Sequence, residues 1–151
     1  MLKEGDLMPA FELEDQNGKK RNSAEFAGKA LVVYFYPKDD TPGCTKEACS
    51  IRDAWADFRA RGVAVVGISA DTPASHAKFA AKFELPFILL ADPEKKAIQA
   101  FGAWGEKTMY GKTYEGILRS TFVIGADGVV KKAFPKVSPE GHATELLGSL
   151  Q

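Results

Sequence analysis

Cys44 and Cys49 are the only cysteines among the 151 residues. A thiol can act as a nucleophile near neutral pH without a cofactor, but only as the thiolate, whose formation is helped by a helix N-terminus or a fixed cation. Cys44 meets the first condition. Thr41-Pro42 reads as an N-cap followed by proline at the first helical position, and helix-compatible residues run from Gly43 to about Arg59. Cys44 then falls in the first turn, where unpaired backbone N–H groups and the macrodipole favour negative charge. A plainer reading fits the same stretch. Cys44, Ala48, Ile51, Trp55 and Phe58 recur in steps of four and three, an apolar stripe in which Cys44 would be a packed core thiol. A third reading gathers Cys44, Cys49, His76 and His142 as ligands of a metal-binding module, although the two histidines fall in separate expected helices.

Bulk properties narrow the setting. A chain of this length buries a full core without disulfides, so one domain spanning residues 1–151 is expected. Hydrophobic residues make up 45% and charged residues 26%, which suits a globular chain rather than a disordered one. Twenty basic residues balance twenty acidic ones, leaving no long-range field for nucleic acid or anionic lipid. The first eleven residues lack a continuous apolar stretch of signal-peptide length, and no window is long enough to span a bilayer; a cytoplasmic location follows as the expectation. A cysteine pair in a reducing compartment points to catalysis or metal binding rather than to a structural staple.

The elements that must position these thiols follow from period and punctuation. Phe11 to Glu14 reads as a strand, closed by the turn Asn17-Gly18, and Asn22-Ser23 caps a brief helix through Phe26. Ala30 to Tyr36 is a continuous β-branched and aromatic run ending at Pro37, the pattern of a strand buried on both faces. After the helix that begins at Pro42 and stops near Gly62, the expected elements are a strand Val63 to Ser69, a helix from Pro73 through Phe83, a strand Leu85 to Leu90 and a helix Pro93 to Phe101. Gly102 to Gly116 reads as an irregular loop whose Trp104, Met109 and Tyr110 form either an apolar wall or a surface patch. A hairpin of Ile117 to Ile124 and Val129 to Phe134 turns at Asp127-Gly128, and Ser138 to Leu147 forms the last helix. This order gives an α/β fold with a mixed central sheet and helices on both faces, the thioredoxin-like layout. In such sheets sites lie beyond the carboxyl ends of strands, where Cys44 falls.

Pro37 to Cys44 fits P-x-x-x-T-x-x-C, which resembles the active-site loop of peroxiredoxins, and YFYPKDDTPGCTKEACS from Tyr34 to Ser50 resembles their bacterioferritin comigratory protein, or PrxQ, subgroup. Gly5-Asp6, Pro9, Phe11, Gly67-Ile68-Ser69, Asp71, Leu89, Asp92 and Arg119 to Ile124 follow in family order, so the resemblance covers essentially the whole chain. It implies a peroxidatic role for Cys44, a Thr41 hydroxyl that bonds the thiolate and orients the peroxide, and a Pro37 that shields the site. It also implies an Arg119 that stabilises thiolate and developing alkoxide, and a Glu47 that holds this arginine. The chemistry agrees with those types: attack on the O–O bond builds charge on the departing oxygen, and preset donors lower that barrier.

Oxidised Cys44 would be a sulfenic acid, which condenses with a second thiol, and Cys49 is the only other cysteine. Thioredoxin or a similar dithiol would then reduce the disulfide, as the resemblance implies; it also implies hydroperoxide substrates and a monomer. No haem motif or dinucleotide fingerprint is present, and no cofactor is expected. A thioredoxin-type disulfide exchanger shares the fold, but its signature is Cys-x-x-Cys, whereas four residues separate the thiols here.

Overall fold

The computed structural model describes residues 1–150, apart from the side chain of Met109. Its centre is a seven-stranded mixed sheet. Strand β1 (Glu12–Asp15) turns through Asn17-Gly18 into a short antiparallel β2 (Lys20–Asn22), which the sequence did not suggest. The Asp15 carboxylate holds that turn, accepting from Asn17 N, Lys19 N and Arg21 Nε. Asn22 accepts from Ala24 N and so caps the expected brief helix, a 3₁₀ turn over Ser23–Phe26. Then follow β3 (Ala30–Phe35), α1 (Pro42–Asp53), α2 (Trp55–Ala60), β4 (Val63–Ser69), α3 (Pro73–Phe83), β5 (Ile88–Ala91) and α4 (Lys96–Ala100). The chain closes with β6 (Trp104–Met109), β7 (Lys112–Ile117), β8 (Ser120–Ile124), β9 (Val130–Phe134) and α5 (His142–Ser149). Strand order is β2-β1-β5-β4-β3-β8-β9, with β3, β4 and β5 parallel and the outer pairings antiparallel.

Strand alternation divides the core. Leu31, Val33 and Phe35 pack on one face with Ile98, Phe101 and Phe122, beside α4. Val32, Tyr34 and Tyr36 pack on the other with Ile51, Phe58, Phe79 and Leu146, from α1, α2, α3 and α5. Both faces of β3 are therefore buried, as its unbroken apolar run requires. Across the sheet Tyr34 pairs with Gly67, and the tyrosine ring lies so close that a Cβ at Gly67 would meet it at 2.7 to 2.8 Å. Only glycine leaves room for that ring.

Three expectations need correction. The single helix of residues 43 to 59 breaks at Ala54, whose φ of −98° and ψ of 8° leave the helical region. Residues 102 to 116 are not an irregular loop but a ribbon of β6 and β7 in register, turned at Tyr110-Gly111 with φ of 53° and 76°. Two adjacent positive φ values mark the hairpin turn whose twist matches its strands. Lys112 to Glu115 of β7 are all exposed, so no buried face imposes the alternation by which a strand is recognised. The expected strand of residues 117 to 124 is also interrupted, at Leu118 and Arg119, where the chain passes from the ribbon into the main sheet.

Candidate active site

Sheet register explains how residues far apart in sequence meet. Phe35, the last residue of β3, pairs antiparallel with Ser120, the first of β8. Arg119 immediately precedes β8 and Cys44 lies just beyond β3 in the first turn of α1, so both fall at the carboxyl end of the parallel strands. The Arg119 guanidinium donates through Nη2 to Cys44 Sγ at 3.3 Å and through Nη1 to Glu47 Oε1 at 2.7 Å. Glu47 stands one turn beyond Cys44 on the same helix face, which lets one planar fork bridge sulfur and carboxylate. Gly43 makes room: a Cβ there would press Arg119 Nη2 at 3.2 Å and Pro139 Cγ at 3.4 Å. The role of Gly43 at the guanidinium is a matter of tertiary contact.

Cys44 and Glu47 are buried, at 2% and 0% exposure, and Arg119 is largely covered. Glu47 Oε2 and the Tyr34 hydroxyl are buried without a hydrogen-bond partner. Burial pushes the Glu47 carboxyl up to about 7, with the adjacent Arg119 charge and its hydrogen bond pulling the other way. Burial also works against the Arg119 cation, yet Cys44 and Glu47 more than offset it and its pKa lies above the ordinary value. The two directions agree physically: one cation is shared between two groups, so each partner receives only part of its attraction. The Tyr34 hydroxyl is pushed well up, by burial first and then by the charges of Glu47 and Cys44.

A pH dependence of stability follows. The folded state keeps the Glu47 proton up to about pH 7, whereas the unfolded chain releases it near the ordinary value of 4.5. Between those limits the native state binds more protons, so stability falls as pH rises. The loss through this window amounts to up to about 3 kcal/mol. Urea unfolding at pH 5 and pH 8 should show a fall in wild-type stability that is largely absent in Glu47→Gln.

Thr41 occupies the N-cap position with φ of −104° and ψ of 156°, but its side chain does not cap the helix. Its hydroxyl donates to the Lys38 carbonyl at 2.9 Å, so its one proton is already placed and it faces other groups as an acceptor. The expected bond from this hydroxyl to the sulfur is not made in this arrangement. Pro37 is half-buried where β3 ends. Cys49 is half-buried within α1, and both thiols are free.

One feature of the site escaped the sequence. Lys107 of β6 reaches across the ribbon to donate from Nζ to the Ile117 carbonyl at 2.8 Å. Burial first, then the Arg119 charge, depresses its pKa, while Cys44 acts in the opposite sense; a second cation therefore shares the neighbourhood. Trp104 is half-buried and Tyr110 is 97% exposed, so these two do not form one wall; the Met109 side chain lies outside the described residues. The four-ligand metal reading fails, because His142 is engaged with Thr121 Oγ1 and Glu145 while His76 faces Asp39 and the Leu90 carbonyl. Among the described residues one set of such side chains brings ligand atoms together: Asp39, Asp71 and His76, within 4.8 Å of one another.

Comparison with known proteins agrees with this geometry. The AhpC/TSA family profile matches residues 5–133. Peroxiredoxin Bcp of Escherichia coli strain K12 is 44% identical over 150 residues, covering 99% of this chain and 96% of that one. A bacterioferritin comigratory protein of Xanthomonas campestris, solved in work on its alkyl peroxide reduction activity, superposes with a TM-score of 0.88 at 38% identity, over 93% of this chain and 89% of that one. A cysteine-to-serine variant of PrxQ from Xylella fastidiosa gives 0.93 at 33% identity, over 99% and 96%. With matching fold, matching profile and a guanidinium set between a helix-start thiol and a buried carboxylate, the chain belongs to the AhpC/TSA family and is a peroxiredoxin.

Proposed function

We propose that this protein reduces hydrogen peroxide and organic hydroperoxides at Cys44 and closes the cycle through an intramolecular disulfide with Cys49. The observation that carries the reading is the Arg119 guanidinium bonded at once to Cys44 Sγ and Glu47 Oε1. The Cys44 thiolate attacks one peroxide oxygen in line with the O–O bond. An S–O bond forms, the O–O bond breaks, and the departing oxygen leaves with the electron pair and takes a proton as water or alcohol. Arg119 and the free N–H groups at the start of α1 meet the charge that grows on that oxygen. Thr41 supplies an acceptor for the peroxide proton, and Pro37 closes the approach to the sulfur from water.

The sulfenic acid is resolved by Cys49, whose thiolate forms the S–S bond and displaces hydroxide, which leaves as water. On a continuous helix, Cα atoms five residues apart are separated by about 8.7 Å, and a disulfide needs about 4.4 to 6.8 Å. Both thiols lie in the unbroken α1. The first turns, residues 43 to 50, therefore unwind before the bond closes. A dithiol reductant of the thioredoxin class then reopens it. Its access is supported by a cleft of about 620 Å³ between α1 and α5, with Cys49, Asp53, Pro139 and Leu147 on its walls. The whole chain acts as one domain, and every named group comes from a single copy, so a monomer suffices. No helix is long and apolar enough to cross a membrane among the described residues, which fits work in the cytoplasm on peroxides that diffuse to it.

The test is a single turnover with one equivalent of peroxide, followed by intact-mass analysis. Wild type should lose two hydrogens as the disulfide forms. Cys49→Ser should instead gain one oxygen at Cys44 and stop cycling with a dithiol. Cycling at the wild-type rate in Cys49→Ser would refute the resolving role, since the sequence contains no third cysteine.

A further inference from the structure

In the loop that precedes α1, a buried polar network is built around one carboxylate. Asp39 is 7% exposed. Its Oδ1 accepts from the Tyr36 hydroxyl, and its Oδ2 accepts from Ser75 Oγ at 2.8 Å and stands 2.7 Å from His76 Nδ1. Its backbone N–H donates to Asp71 Oδ2 at 2.9 Å, an oxygen that also receives the Ser69 hydroxyl at 2.7 Å. His76 is fully buried and its Nε2 lies 2.9 Å from the Leu90 carbonyl. A carbonyl only accepts, so Nε2 donates to Leu90, and the ring is turned with Nδ1 against the Asp39 carboxylate.

Such a network is not what a core chooses for cohesion alone, because each buried polar group must recover its lost hydration through well-placed partners. What it does hold is the shape of the loop. Asp40, the next residue, has a φ of 54°, a left-handed conformation that a residue with a side chain keeps only when its surroundings impose it. The Asp40 carboxylate is tied to Lys82 of α3 at 2.8 Å. This turn sets Thr41 so that its hydroxyl reaches Lys38 O and its carbonyl accepts from Thr45 N at 2.8 Å, starting α1. Pro37 lies two residues before Asp39 and Thr41 two residues after it.

We infer that Asp39 and His76 act as a buried positioning pair that locks the Pro37–Thr41 loop in the shape needed to present peroxide to Cys44. Neither residue touches the sulfur or the substrate; both act through Thr41 and Pro37. The inference rests on the peroxidase reading of that loop. Loss of the pair leaves Arg119, Glu47 and the helix start in place, so the thiol keeps its reactivity toward a reagent that needs no orientation. Reaction with peroxide, which must be aligned along the O–O axis, is slowed.

The experiment compares two reactions of Cys44 in the full chain: stopped-flow oxidation by hydrogen peroxide, followed by the fluorescence of Trp55 and Trp104, and alkylation by iodoacetamide. Asp39→Ala and His76→Ala should slow the peroxide reaction by about 10- to 100-fold, the scale of a misplaced reacting group, with no matching fall in alkylation. Asp39→Asn keeps the size and one of the two acceptor oxygens and should recover part of the rate. Ser75→Ala removes one donor from Asp39 on a helix that favours alanine, so it reports even where a larger change fails to fold; there the peroxide rate should fall about threefold without loss of alkylation, by the same orientation argument. Addition of a chelator should leave wild type as it is. Wild-type peroxide rates in folded Asp39→Ala or Ser75→Ala would overturn the inference, as would equal slowing of both reactions. A loss of activity with the chelator would do so by making the cluster a metal site. If wild type itself does not react with peroxide, the failure belongs to the peroxidase reading instead.

Discussion

Cys44→Ser protein should consume no peroxide above the rate of an ordinary protein thiol, a loss on the order of 10⁵-fold or more by the scale of nucleophile deletions. Cys49 remains in that variant but cannot take over. It lies further along α1, half-buried, whereas the Arg119 fork reaches Cys44 and Glu47. A free thiol without preset donors meets the departing oxygen with no stabilisation of its charge. The exchange of sulfur for a hydroxyl is a small change in a buried position beside Ala48 and Ile51, and the hydroxyl can take the Arg119 hydrogen bond that the sulfur held. Circular dichroism and urea midpoint should therefore stay close to wild type while peroxide consumption, followed by ferrous-xylenol orange, disappears. Turnover that survives in a folded Cys44→Ser protein would end the proposed mechanism.

The parts of this molecule that could be read from residue order are those in which local chemistry and tertiary demand coincide. Pro42 at the first helical position placed Cys44 in the opening turn of α1, and the structure has it there. The unbroken run from Ala30 told that both faces of β3 are covered, and its alternate residues do serve two separate cores. Arg119 was different. An arginine beside a strand start is ordinarily a solvated group, and its partnership with Cys44 followed only from family resemblance until the pairing of Phe35 with Ser120 gave the spatial reason. The ribbon of β6 and β7 was hidden because it buries too little to imprint a pattern, and its Tyr110-Gly111 turn is not among the stronger hairpin pairs. The Asp39 and His76 pair was hidden for the opposite reason. Asp and His in isolation signal turns and surfaces, and nothing in spacing alone shows that α3 will carry one histidine onto a carboxylate thirty-seven residues away. Buried polar networks are specified by the fold as a whole, so they become visible only when the fold is.

Arg119→Ala should slow oxidation of Cys44 by about 10² to 10³-fold, the range for removing one preset donor to a developing oxyanion. The same change should destabilise the protein, and the two effects separate. Without the guanidinium, buried Glu47 loses its one hydrogen-bond partner, since Oε2 already has none. Leaving a buried charge unpaired costs about 3 to 5 kcal/mol, and the carboxyl avoids part of that by keeping its proton to higher pH. Its folded value, already raised to about 7 in the wild type, rises further. The sign is then fixed: a carboxyl whose native value is raised weakens the fold as pH climbs toward that value, so Arg119→Ala is more destabilised at pH 8 than at pH 5. Adding Glu47→Gln removes the group that must ionise. Urea unfolding of the double variant Arg119→Ala/Glu47→Gln should recover most of the stability at pH 8, while its peroxide rate stays as low as in Arg119→Ala. Arg119→Lys should fall between, because an ammonium keeps the charge but cannot spread a planar fork across both sulfur and carboxylate. A double variant that regains speed along with stability would mean that Arg119 serves the fold and not the departing oxygen.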